Sequence, residues 1–274
     1  MTKERAIAHE AEAIERANWP RTRQSLAVDL QKLGVEAGMT LLVHASMKTL
    51  GWVNGGPVAI IQALQDVLTS TGTLVMPTHS GDYSDPHLWI SPPVPRPWQQ
   101  LIRDTMPAFD PRLTPTRGMG KIAELFRTWP DVLRSYHPQV SFAAWGKEAP
   151  FVTANHTLEN SLGEGSPLAR VYDLDGFVLF LGTGFDTNTS FHLAEYRTGI
   201  RPFMRQGAPL LVNGQATWTS YQDIDFNDDI FPDIGADFEK TGAVTIGPVG
   251  SATCRLFRQQ TAVDFAESWL KQWQ

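Results

Sequence analysis

The 274-residue chain has one cysteine, Cys254. A lone thiol excludes an internal disulfide and any metal site built from several thiolates. Long apolar runs are also missing, since no stretch approaches the ~20 residues that cross a bilayer. The first thirty residues scatter charges among alanines and show no signal-peptide core, so a cytoplasmic location is expected. Neither H-E-x-x-H nor H-x-E-x-H occurs, which leaves the histidines without a familiar zinc spacing. The P-loop pattern is absent, and "LGTGFD" lacks the third glycine of a dinucleotide fingerprint. Positive charge is in deficit: 23 basic against 29 acidic residues give a net charge of −6. That balance disfavours nucleic acid as a partner and suits a cationic small molecule.

What is present reads as α/β. "TRQSLAVDLQKLGV" has helical spacing and a stop at Gly34. "MTLLVHAS" and "TLVMPTHS" are apolar runs with polar ends, separated by the helical "PVAIIQALQDVLTSTG". Strand, helix, strand within about forty residues is a βαβ unit. Ligands of open α/β sheets bind beyond the carboxyl ends of the strands, where His44, Ser46, Thr78 and His79 fall. Residues 81–117 are irregular and rich in proline, tryptophan and aspartate, and they read as an ordered lid or pocket wall. Helix returns at "GKIAELFRTWP" and strand at "HPQVSFAAWG". "SPLARVYDLDG" reads as a helix capped by Ser166 with Pro167 at its first position. "APLLVNGQATWTSYQDI" reads as a hairpin turning at Asn213–Gly214, and "QQTAVDFAESWLKQW" as a C-terminal helix. No repeat or linker divides the chain, so residues 1–274 are expected to form one domain with an elaborated loop region.

Two constellations carry chemistry, and a third is only a near miss. "NTSFHLAEYR" follows the strand "FVLFLGTG" and sets His192 and Glu195 three apart, on one face of a helix. The serine-hydrolase elbow G-x-S-x-G has only a near miss in "GEGSPLA", where Ser166 reads better as a helix cap. The run "DIDFNDDIFPDIGADFE" carries seven carboxylates and no basic residue. Its interleaved isoleucines and phenylalanines call for burial, so it is an anchored segment whose potential favours a polyamine or amino sugar. The EF-hand pattern that would make it a calcium loop is absent.

Taken together, "LLVHASMKTLGWVNGG", "GTLVMPTHSGDYSDPHLW", "PTRGMGKIAELF", "HPQVSFAAWG", "SLGEGSPLARVY", "LFLGTGFDTNTSFHLAEYR" and "IDFNDDIFPDIGADFE" resemble the aminoglycoside 3-N-acetyltransferase family. They follow the family's order from about residue 25 to 240. The unrelated GNAT signature is not met, because proline occupies a required position in "PTRGMG". The resemblance implies a mixed central β-sheet flanked by helices and acetyl transfer from acetyl-CoA to the 3-amino group of a 2-deoxystreptamine ring. No metal is expected, and no membrane partner. The protein would act as a monomer or homodimer and confer antibiotic resistance. His192 would be the catalytic base. Ser46, Met47, Lys48, Gly51, Thr116, Arg117, Gly118 and Met119 would meet acetyl-CoA. Asp82, Tyr83, Glu164, Asp186, Asp223 and Asp225 would bind the aminoglycoside.

Chemistry then assigns roles. An amine on a polycation must lose a proton before it attacks a thioester, and an imidazole, titrating at about 6.5, takes that proton at cellular pH. A neighbouring carboxylate would orient the ring: Glu195 is nearest in sequence, and Asp223 or Asp225 is the alternative. The oxyanion donor is expected at Thr78 or at a backbone N–H near Ser46. Direct attack by the amine is expected over an acyl-Ser46 intermediate. Three other readings stay open on the sequence alone: an acyltransferase of the same fold acting on a different amine, a hydrolase using serine and histidine, and a non-catalytic binder of polycations.

Overall fold

The computed structural model describes residues 10–15 and 18–272. Helix α1 (Arg23–Leu33) starts at a reciprocal cap, where Thr22 and Ser25 each accept the other's backbone N–H, and ends at Gly34 with φ of +107°. Strand β1 (Thr40–Ala45), helix α2 (Gly56–Leu68) and strand β2 (Thr73–Pro77) form the expected βαβ unit. Thr40, Leu41 and Leu42 pair in parallel with Thr73, Leu74 and Val75. The segment 81–117 is less irregular than its composition suggests. It contains helix α3 (Trp98–Thr105), held by Arg103 to Asp85 at 2.6 Å. Then come α4 (Gly120–Phe126), β3 (Leu133–Arg134), β4 (Phe142–Gly146), α5 (Ala149–Thr153), α6 (Pro167–Asp173) and β5 (Phe177–Leu181). Ser166 caps α6 by accepting the Leu168 N–H. Helix α7 (Ser190–Thr198) carries His192. The hairpin β6 (Phe203–Val212) and β7 (Gln215–Ile224) turns at Asn213 and Gly214, both at positive φ as a two-residue turn requires. Helix α8 (Phe231–Glu239), strands β8 (Thr245–Val249) and β9 (Ala252–Arg258) and helix α9 (Gln259–Gln272) complete the order. The expected final helix is present, and Trp273 lies outside the described residues.

The sheet runs β3-β4-β2-β1-β5-β9-β8, parallel at its β2, β1 and β5 centre and antiparallel toward both edges. It is mixed, as the sequence led us to expect. Helices cover both faces, so the central strands are apolar on both sides. Side chains alternate as the pleat demands. Leu41, Val43, Leu74, Met76, Leu179 and Leu181 pack toward α1 and α2, whereas Leu42, Val75, Val178 and Phe180 join the opposite core. That second core is a nest of phenylalanines, with Phe180, Phe185 and Phe257 in mutual contact at 5.0–5.6 Å between ring centres. Cys254 is fully buried in β9, a packing residue. No helix among the described residues is long and apolar enough to cross a membrane.

Candidate active site

The carboxyl ends of β1, β2 and β5 open onto a cavity of about 420 Å³. Val43, His44 and Ala45 line it from β1, and Met76, Pro77 and His79 from the end of β2. The connection from β5 to α7 supplies Thr183, Asp186, Thr187, Asn188 and Thr189, followed by His192 from the first turn of α7. Phe226, Asp228 and Phe231 close it from the acidic run. Placing the cavity here follows from the parallel centre of the sheet, where adjacent connections leave in opposite directions and part.

Within it, His192 Nδ1 and Glu195 Oε2 are 2.6 Å apart. Glu195 is wholly buried, with three further constraints on its position. The Asn227 N–H donates to Oε1 at 3.3 Å, Arg201 Nε lies 3.5 Å from the same oxygen, and the backbone is fixed by α7. The His192 ring is packed by Phe226 and Phe231, with ring centres at 4.9 and 4.8 Å. Donation of Nδ1–H to Glu195 leaves Nε2 with the lone pair and, among the described residues, with no protein partner. The carboxylate in contact with the His192 ring is therefore Glu195. Asp223 is engaged elsewhere, accepting from Ser161 Oγ at 2.5 Å and from the Tyr196 hydroxyl, and Asp225 is exposed beside Arg201. Burial raises the Asp223 carboxyl above its ordinary range, partly offset by those hydrogen bonds.

Two more imidazoles border the cavity, at the strand ends where the sequence placed a ligand, though it assigned neither a chemical role. His44 is 5% exposed, with Nε2 3.4 Å from Thr189 Oγ1, and burial brings its pKa down to about 3. His79 is likewise lowered to about 3, by burial first and then by His192, His44 and the Arg134 cation nearby. No group of three or more histidine, cysteine or carboxylate side chains among the described residues is arranged to hold a metal.

Of the residues singled out from sequence, His192, Asp186, Gly118 and Met119 line the cavity, with Glu195 directly behind His192. Thr78 does not. It is fully buried, and its hydroxyl donates to the Ser141 carbonyl at 3.1 Å, turned away from the site. The Ser46 N–H is also spent, on Leu181 O at 3.0 Å. Asp223 is buried in the network just described and does not face the cavity, so it cannot contact a ligand there. Glu164 is exposed and paired with Arg197 at 2.7 Å, and Asp82 pairs with Arg117 at 3.0 Å; neither lines the cavity. Tyr83 is half-buried against Phe109. Ser46, Met47, Lys48 and Gly51 follow β1 outside the cavity lining, and Thr116 donates both its N–H and its hydroxyl O–H to Glu124. Gly118 sits at φ +75°, a conformation that L side chains rarely adopt, and brings the loop before α4 to the cavity.

The family model "Aminoglycoside 3-N-acetyltransferase" matches residues 42–271. The chain is 50% identical over 257 residues to the SPbeta prophage-derived aminoglycoside N(3')-acetyltransferase-like protein YokD of Bacillus subtilis, covering 93% of this chain and 94% of the relative. It is 38% identical to aminoglycoside N(3)-acetyltransferase III of Pseudomonas aeruginosa, covering 93% and 95%. Among solved structures, YokD superposes with a TM-score of 0.94 at 49% identity, over 95% of this chain and 97% of its own. The binary complex of AAC-IIIb with CoASH gives 0.83 at 32% identity, covering 93% and 97%. AAC-VIa bound to sisomicin gives 0.84 at 30% identity, covering 93% and 98%.

Proposed function

The chain belongs to the aminoglycoside 3-N-acetyltransferase family, and from that premise we propose that it moves the acetyl group of acetyl-CoA to the 3-amino group of an aminoglycoside, with His192 as base and residues 1–274 acting as one unit. The observation that carries the reading is the buried His192–Glu195 pair facing a cavity that has an acidic wall. Solved relatives bind CoA in one case and sisomicin in another, which supplies both substrates by analogy.

The chemistry follows from the geometry. The acceptor amine, neutral in a fraction of molecules, attacks the thioester carbonyl carbon. As the C–N bond forms, one N–H proton passes to His192 Nε2, and the imidazolium is stabilised by Glu195 at Nδ1. The tetrahedral carbon expels the thiolate, which takes the proton from His192. Base catalysis of this kind is worth about 10²–10⁴-fold. Asp186 and Asp228 on the cavity wall present two carboxylates to the remaining ammonium groups of the acceptor. Gly118 and Met119, on the cavity lining, would meet the pantetheine arm, with Ser46, Met47, Lys48, Gly51, Thr116 and Arg117 on the flanking loops as further contacts. Direct transfer is favoured over an acyl-serine because, among the described residues, no serine lines the cavity with His192. The test is thiol release from acetyl-CoA with and without an aminoglycoside, followed by NMR location of the acetylated nitrogen. Amine-dependent release with acetylation at N3 supports the reading. Release that does not depend on amine points to a hydrolase, and acetylation at another nitrogen overturns the regiochemistry.

A further inference from the structure

We propose that His79 donates the hydrogen bond that polarises the thioester carbonyl during transfer, an inference that rests on the acetyl-transfer reading above. The reaction moves an electron pair onto the carbonyl oxygen, and a donor aimed at that oxygen is usually a large part of catalysis. The Thr78 hydroxyl and the Ser46 N–H are committed elsewhere, to Ser141 O and Leu181 O, and the neighbouring Met47 and Lys48 lie outside the cavity lining. His44 Nε2 is directed to Thr189 Oγ1, and His192 Nδ1 to Glu195. Asn188 keeps an unpaired Nδ2, but the residue is 0% exposed and its oxygen accepts the Ser190 N–H, so no ligand reaches it.

His79 is different. It lines the same cavity as His192, and the residue is only partly buried. No hydrogen bond among the described residues holds either ring nitrogen; Nε2 is closed off from solvent, so Nδ1 is the nitrogen that can meet a ligand. The ring is nonetheless fixed, by packing rather than by hydrogen bonds. It stands edge-on to Phe142 at 5.3 Å between centres, and its own backbone carbonyl accepts the Arg117 N–H at 2.8 Å. Thr78 N–H to Ser141 O and Ser80 N–H to Gln139 O pin the residues on either side.

Neutrality matters to this role. With its pKa brought down to about 3 by burial and by neighbouring positive charge, His79 carries a single N–H and does not compete with His192 for the amine's proton. The Arg134 guanidinium lies close by, donating to the Thr78, Thr114 and Pro111 carbonyls, and adds positive potential. During attack the carbonyl π pair moves onto oxygen and the His79 N–H bond to it shortens. When the C–S bond breaks the pair returns, and His79 has neither gained nor lost a proton.

The experiment compares wild type, His79→Phe and His79→Gln. Phenylalanine keeps the packing on Phe142 and removes the donor; glutamine restores a side-chain N–H. Three readouts are taken: single-turnover acetyl transfer, CoA affinity by calorimetry, and the infrared carbonyl band of bound acetyl-CoA carrying ¹³C at the carbonyl, without amine. The proposal expects transfer by His79→Phe to slow roughly 10²–10³-fold, with CoA affinity within about threefold of wild type. His79→Gln should recover at least about tenfold over His79→Phe. The carbonyl band should lie lower in wild type than in His79→Phe. Transfer by His79→Phe within about threefold of wild type, equal rates for the two variants, or an unmoved band would each overturn it. Should His79→Phe fail to fold, His79→Gln against wild type decides through the band alone: a glutamine donor keeps it lowered, and a band at the frequency of acetyl-CoA in solution refutes the contact. A wild-type protein with no amine-dependent transfer would bring down the underlying reading instead, and that arm is scored separately.

Discussion

Replacing Glu195 by glutamine keeps the shape of the buried pair and removes its charge. In the native protein the carboxylate lies 2.6 Å from His192 Nδ1 and is wholly buried. Two unit charges about 4 Å apart, between group centres, at an effective dielectric of about 20 interact by about 4 kcal/mol. The glutamine oxygen still accepts from Nδ1–H, and such a neutral hydrogen bond returns about 1 kcal/mol. The imidazolium that forms during attack therefore loses about 3 kcal/mol of stabilisation, which is roughly 10²-fold in rate. The assay is steady-state thiol release under saturating acetyl-CoA, with the acceptor varied. Glu195→Gln should lower kcat about 10²-fold, leave KM for the acceptor within about threefold, and leave CoA affinity unchanged. A purely structural role would instead move the denaturation midpoint and both affinities together. A kcat within about threefold of wild type in a folded variant would refute the assignment of Glu195 to the base.

Two further predictions concern stability. His156 is 8% exposed, hydrogen-bonded to Ser135 Oγ and Ser161 O, and burial lowers its pKa to about 4. The unfolded chain protonates this residue below about 6.5 while the folded chain does not, so stability falls as pH drops from about 6.5 to about 4, at up to about 1.4 kcal/mol per pH unit. Urea titrations at pH 7 and pH 5 should show His156→Gln losing about 2 kcal/mol less between the two than wild type does; equal losses would contradict the assignment. Gly235, in the middle of α8, would place a Cβ 2.0 Å from the Phe185 ring, which Phe180 and Phe257 back on its other sides. Helix propensity alone favours alanine by about 1 kcal/mol, so a measured net loss of about 1–3 kcal/mol in Gly235→Ala identifies the clash as dominant, and a stabilised variant would show that α8 can shift.

The contact between His192 and Glu195 was legible because both sit on one short helix, where three-residue spacing fixes proximity locally. Their rivals were not. Whether Asp223 or Asp225 reached His192 depended on how the β6–β7 hairpin folds back, and the chain buries Asp223 with Ser161 and Tyr196 instead. Thr78 illustrates a sharper limit. Chain order located the end of β2 to within one residue, but successive side chains in extended backbone face opposite ways. Thr78 turns in toward Ser141, and His79, one residue on, lines the cavity. The phenylalanines of the acidic run signalled burial, and Phe226 and Phe231 prove to be the walls around the His192 ring. Its aspartates carried no such directional signal, which is why Asp228 on the cavity wall went unnamed and Asp223 was assigned to the substrate. The helix in the 81–117 segment was hidden by the prolines flanking it.

The role of His192 as base in an amine-dependent acetyl transfer can be read from one variant. His192→Ala, saturated with acetyl-CoA, is mixed with an aminoglycoside and followed before the steady state, with CoA affinity measured on the same sample. With His192 as base, transfer slows about 10²–10⁴-fold while CoA binds as tightly as to wild type. Transfer at an undiminished rate would contradict it.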